Sequence, residues 1–124
     1  MVAGRPKKLM ETDWSDTKWE MHDLLIKLAR LGQPISYSEL AAQITSVYLH
    51  HRAPAFGQIL RQIAREEAEA KRPMLAVLVV NKQTGICGAG FFKHAANLGY
   101  DVADPERFWQ AEFERVYDYW ANAD

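Results

Sequence analysis

The sequence predicts a single α+β domain, mostly helical, and three observations predict it. Between Ala53 and Ala70, the residues Phe56, Ile59, Leu60, Ile63 and Ala64 recur at the spacing of one helical face. Four other stretches carry helical periodicity between recognisable start and stop residues. The strand-prone sequence is confined to Met74–Val80 and a short return after a Gly-containing turn. With 124 residues, 48% of them apolar, and four Trp, five Tyr and five Phe, the chain can bury one modest core.

Residues 1–12, MVAGRPKKLMET, are polar, basic and without period, and are read as a flexible arm preceding a domain over 13–124. Within the arm, Gly4-Arg5-Pro6 followed by Lys7-Lys8 is similar to the core of an AT-hook, a minor-groove element; a plain solubilising tail is the alternative. The first helix is expected to start after Asp13 or Ser15 and to end at Leu31, with Gly32 as its stop and Pro34 beyond. Trp19, Leu24, Leu25, Leu28 and Leu31 are its expected apolar side, with Trp14 at its entrance and Trp19 in the core.

Ser36 and Glu39 form a capping box, each able to serve the other's backbone amide, so a short helix is predicted over 37–44. The loop TSVYLHHR leads to Pro54, which suits a first helical turn. On the helix over 53–70, Gln58, Arg61, Gln62 and Arg65 form a second stripe, polar and free of acids. Arg and Gln carry the paired donors and acceptors that match base edges in the major groove. A merely solvated helix face is the other reading of that stripe.

Met74–Val80 is predicted as a strand, Lys82-Gln83-Thr84-Gly85 as a hairpin turn, and Ile86–Phe92 as the returning strand. Phe91 to Leu98 follows as a short helix stopped by Gly99. Asp104-Pro105 caps a last helix over 105–121, with Phe108, Trp109, Phe113, Val116, Tyr117 and Trp120 along one side. Helices followed by a two-stranded hairpin are the order of a winged helix-turn-helix with additional C-terminal helices.

The formal net charge of −1 conceals an asymmetry. Residues 1–100 hold thirteen Lys and Arg against nine Asp and Glu, whereas residues 101–124 hold two against seven. A nucleic-acid face is therefore allowed on one side only, opposite the acidic last helix. The single cysteine, Cys87, excludes an internal disulfide and fits a reducing, cytoplasmic setting. No apolar run approaches the roughly 18 residues of a membrane span, and no signal-peptide core is present at the start.

The middle of the chain resembles the C-terminal DNA-binding domain of O6-alkylguanine-DNA alkyltransferases and their catalytically silent alkyltransferase-like relatives. Gln33-Pro34-Ile35-Ser36-Tyr37-Ser38-Glu39-Leu40-Ala41 is similar to the family's tyrosine segment, and Phe56-Gly57-Gln58-Ile59-Leu60 to the start of its recognition helix. Pro73 through Val79-Val80-Asn81, then Gly85, is similar to the stretch around its active site. The likeness covers roughly residues 18–92 in short pieces and implies a winged-helix, bacterial-type DNA-binding protein. Its departures concern the chemistry. Aligning Val79-Val80 with the family's Val-Val puts Ala76 at the nucleophilic cysteine, Val77 at its histidine and Leu78 at its arginine. Alkyl transfer needs an activated thiolate, which Ala cannot supply. Pro54 stands where the family has the arginine that fills the gap left by a flipped base. Tyr37 keeps the position that presses on a phosphate; a tyrosine covering the core is the alternative.

No other constellation indicates an enzyme, a cofactor or a metal. Cys87 has no His or Lys in register, His22, His50, His51 and His94 lack ligand spacing, and Gly85, Gly88 and Gly90 do not open a helix after a strand. The expected function is duplex-DNA binding. Gln58, Arg61, Gln62 and Arg65 would face bases and phosphates, Tyr37, Ser38, His51 and Arg52 the backbone, and Lys82 and Gln83 an adjacent groove. The alternative is a protein–protein adaptor, an accessory or phage- or defence-related module, with a partner or a second copy held through Trp109, Phe113, Tyr117 and Trp120.

Overall fold

The computed structural model describes residues 11–123; the arm lies outside them except for Glu11 and Thr12, with which the first helix begins. Five helices surround a two-stranded sheet: α1 (Glu11–Leu31), β1 (Ile35–Ser36), α2 (Tyr37–Gln43), α3 (Pro54–Glu69), a 3-10 turn (Leu75–Leu78), β2 (Val79–Val80), α4 (Ala89–Asn97) and α5 (Pro105–Ala121).

α1 buries Met21, Leu25 and Ala29, an i, i+4 stripe, with Leu24 and Leu28 half-buried beside it. Trp19 is not core. It lies two residues before Met21, on the opposite side of the helix, and is 52% exposed. Its ring packs edge-on to His22 and under the Lys18 ammonium, 5.0 Å from the ring centre. Leu31 is also exposed, because the helix has run past the core by then. The helix ends as expected at Gly32: its N–H donates to Ala29 O, and the Gln33 N–H donates to Leu28 O, a Schellman closure. Gly32 has φ +65°, and a Cβ there would meet the Tyr117 ring at 3.1 Å, so both conformation and close packing require glycine. The end of α3 closes the same way, but through Lys71 at φ 61°.

The expected β-hairpin does not form. Leu75–Leu78 coils into the 3-10 turn, and only Val79 and Val80 are extended; they pair in parallel with Ile35 and Ser36. Met74–Val80 is buried throughout, touching α1, α3 and α5, and an apolar run buried on all sides does not distinguish a strand from a coil of helix. The turn after it does form. The Gly85 N–H donates to Asn81 O, and the Asn81 N–H to Ile86 O. Beyond it the chain starts α4 from Gly88 instead of returning as a strand, so Phe91 and Phe92 stack around Phe108 of α5.

Two buried carboxylates knit the far side. Glu67 of α3 accepts from His22 Nε2 (3.1 Å) and from Arg72 Nε (2.7 Å) and Nη2 (3.0 Å). Glu112 of α5 accepts from the Met74 N–H (2.9 Å) and from Arg115 (2.6 Å). Trp109, expected at a partner surface, donates its indole N–H to Val77 O at 3.0 Å, and Phe113 and Trp120 are packed against the core. Of the residues expected at that surface, Tyr117 alone is exposed. No helix among the described residues is long and apolar enough to cross a membrane.

Candidate nucleic-acid interface

The capping box sets the start of the site. The Glu39 N–H donates to Ser36 Oγ (3.2 Å), and Ser36 donates its N–H (3.2 Å) and hydroxyl (2.7 Å) to Glu39 Oε1. These bonds hold the Glu39 carboxyl below its usual range, and Lys82 adds a smaller pull. The cap orients Tyr37 and Ser38, the first residues of α2, beside β2 and the turn that follows it.

Tyr37 is half-buried, edge-on to Phe56, and its hydroxyl oxygen accepts from the Gly88 N–H at 3.0 Å. Burial pushes its phenol above the ordinary tyrosine value, so the O–H stays a proton donor. It stands between two concavities. The first, of about 140 Å³, is mostly apolar and is lined by Leu60, Ala64, Ala76 and Phe91, with Arg61 and His94 at its polar edge. The second, of about 390 Å³, is polar and gathers Ser38, His51, Arg52, Lys82 and Gln83. A third, of about 280 Å³, shares Ser38 and His51 with the second and is bounded by Tyr48 and His50. No acidic residue lines any of the three.

α3 runs alongside with Gln58, Arg61 and Arg65 exposed. The Arg61 guanidinium folds over Gly57, close enough that a Cβ at Gly57 would lie 3.2 Å from Nη1. His94 of α4 donates from Nε2 to Arg61 O at 3.1 Å, tying α4 to this face. Gln62, expected in the same stripe, is turned toward α1: its carbonyl accepts from Trp14 Nε1 (2.8 Å), and its amide donates to Glu66 (3.2 Å). One helical residue of rotation from Arg61 carries it off the exposed face. Arg52, Arg61, Arg65, Lys82 and Lys93 make no salt bridge with another described residue. His51 has its pKa held below the ordinary imidazole value, first by desolvation and then by the neighbouring His50 and Arg52.

Of the nine sequence-expected residues other than Gln62, Gln58, Arg61 and Arg65 are exposed on α3, and Arg61 shares a concavity with Tyr37. The remaining six (Tyr37, Ser38, His51, Arg52, Lys82 and Gln83) meet around a single basin. Sequence reasoning missed the contribution of α4, through Phe91 and His94, because the glycines and the turn before it read as a returning strand. It also passed over Tyr48, although the alternation in Val47-Tyr48-Leu49-His50 marks it as outward-facing. Cys87 is buried; its S–H points to Val77 O at 3.3 Å, and burial pushes the thiol far above its ordinary value, which keeps it protonated. No family model matches the chain, and no curated protein or solved structure gives a significant match.

Proposed function

We propose that the chain binds duplex DNA without acting on it chemically, with α3 along the major groove and the polar basin against the backbone. What supports this reading is the meeting of Ser38, His51, Arg52, Lys82 and Gln83, from three separate segments, around one concavity free of acids. Hydroxyls, guanidinium and ammonium groups are the donors that hold phosphates in register. Gln58, Arg61 and Arg65 beside them are the residue types that read base edges. In this reading α2 and α3 act as a helix-turn-helix, and the 81–86 turn serves in place of a wing. The resemblance to alkyltransferase-like proteins agrees with it: Ala76, at the position of their nucleophile, lines the pocket next to Tyr37 but offers only a methyl group.

Fluorescence anisotropy with a labelled duplex tests the reading. Arg61→Ala with Arg65→Ala should weaken binding by about ten-fold or more for each lost base contact. Arg52→Ala with Lys82→Ala should lower affinity for all sequences alike and flatten the slope of log K against log salt by about one per lost phosphate contact. A folded double variant that binds as the wild type does would remove α3 from the interface.

A second reading, a protein adaptor, has one observation in its favour. Leu31 and Tyr117 are exposed at 67% and 43% around a groove that also holds Glu114 and Asp118. A Tyr117→Glu variant that loses a partner or a dimer while keeping DNA affinity would favour it.

A further inference from the structure

The loop between α2 and α3 carries an aromatic side chain that packing does not explain. Val47 and Leu49 are buried in the core, so the residues between and after them, Tyr48 and His50, are turned outward on the same side. Tyr48 is 70% exposed, the largest value among the exposed large apolar side chains. Beside it the rings of His50 and His51 are stacked, 4.4 Å between centres and 25° from parallel. His50 is fixed in turn, since its Nδ1 accepts the Arg52 N–H at 3.0 Å, which puts the ring proton on Nε2. The exposed ring is thus presented by a backbone anchored on both sides, next to a preordered imidazole pair. The concavity it bounds shares Ser38 and His51 with the basin of Arg52 and Lys82.

An exposed π-face between two buried neighbours, near a cationic basin lined by no acid, matches one ligand chemistry closely. That ligand is a nucleotide whose phosphate sits on the cations while its base, free of its own stack, lies against the ring. We infer that Tyr48, which lines one concavity with the His50–His51 pair, is a stacking platform for an unstacked nucleotide, so that the protein prefers DNA containing an unpaired or mismatched step to regular duplex. The inference rests on the DNA-binding reading above but on residues separate from α3. Charge alone would retain any duplex; the ring adds attraction only where a base is available to meet it. The hydroxyl of Tyr48 has no part in this, and its aromatic face does.

Anisotropy titrations of the full chain with a perfect duplex and with the same duplex carrying one bulged 2-aminopurine test it. The wild type should bind the bulged duplex more tightly and change the 2-aminopurine emission on binding. Tyr48→Ala should lose about ten-fold on the bulged duplex and little on the perfect one. Tyr48→Phe should behave as the wild type. Because the side chain is exposed, circular dichroism should show both variants folded. Equal losses on the two duplexes, or a wild type that binds both alike with unchanged emission, overturn the platform while leaving duplex binding intact. A wild type that binds neither duplex overturns the DNA reading together with it.

Discussion

The two sides of this molecule use charge differently. On the side of α1, the end of α3 and α5, several described groups are committed to carboxylates: Lys18 to Glu66 at 2.9 Å, Arg72 and the His22 ring to Glu67, and Arg115 to Glu112. Two of those carboxylates are buried, and they hold helices to one another and to the 73–74 segment. On the side of α2, the 44–53 loop, α3 and the 81–86 turn, Arg52, Arg61, Arg65 and Lys82 make no salt bridge with another described residue, although Glu39 feels the charge of Lys82 and Glu66 that of Arg65. The concavities differ in the same sense. Those near α5 are edged by Glu114 and Asp118 or by Asp101 and Asp104, while the three near Tyr37 have no acid. Bridged charges on the first side contribute to stability, whereas on the second the exposed cations stand outside the salt bridges of the described residues.

The sharpest way to break that contrast is to exchange the roles. Glu67→Leu removes the acceptor for His22 and Arg72 and should cost about 2 kcal/mol of stability, less than a fully buried broken pair because Arg72 can reach water. Arg52→Ala or Arg65→Ala should stay within about 0.5 kcal/mol. Urea unfolding of the three variants compares them directly, and similar losses at all three would dissolve the distinction.

Burial raises the Glu67 carboxyl, but the hydrogen bonds and charges of His22 and Arg72 more than offset this and leave its pKa below the ordinary 4.5. Its folded pKa is thus lower than its unfolded one. Its stabilisation is complete above about 4.5 and is lost as pH falls through the folded value. Glu20, desolvated but bonded by Thr45 and Ser46, adds to the same trend. Acid titration of the unfolding midpoint in urea should show this loss, and Glu67→Leu should reduce it.

A smaller gain is expected at the end of α3. Lys71 occupies the left-handed position that Gly32 fills in α1, so Lys71→Gly should stabilise the fold by roughly 1 kcal/mol. An unchanged or lower melting temperature would mean that the Lys71 side chain contributes more than its backbone strain takes away.

The smallest effect separates the two sides by pH. Because His51 titrates below the ordinary 6.5, acidification from neutral pH through that region adds a cation to the basin. DNA affinity should then rise, by less than the ten-fold of a base contact, in a range where the carboxylate network is still intact. His51→Gln should reduce the rise; anisotropy at fixed ionic strength measures it.

What the sequence determined by itself is local. The Ser36–Glu39 box, Gly32, Pro54 at the first turn of α3 and the Asp104 cap of α5, which accepts the Arg107 N–H, were legible because each satisfies backbone groups within a few residues. The exposed stripe of Gln58, Arg61 and Arg65 was legible too, because it is the reverse of the buried stripe Phe56, Ile59, Ile63. The tertiary structure decided whatever depends on a distant partner. Gln62 left the stripe because Trp14, 48 residues away, supplies a donor on the α1 side. Trp19 was expected inside because its hydrophobicity is visible in sequence, whereas the phase of the helix against the core is not. Met74–Val80 reads as a strand, yet it coils as far as Leu78, because two residues of pairing with Ile35 and Ser36 are all the sheet offers and three helices cover the rest. The basin around Arg52 and Lys82 likewise exists only because that parallel pairing draws the start of α2 against the 81–86 turn. Caps are settled by neighbours in sequence; which side a side chain faces, and whom it meets, is settled by packing.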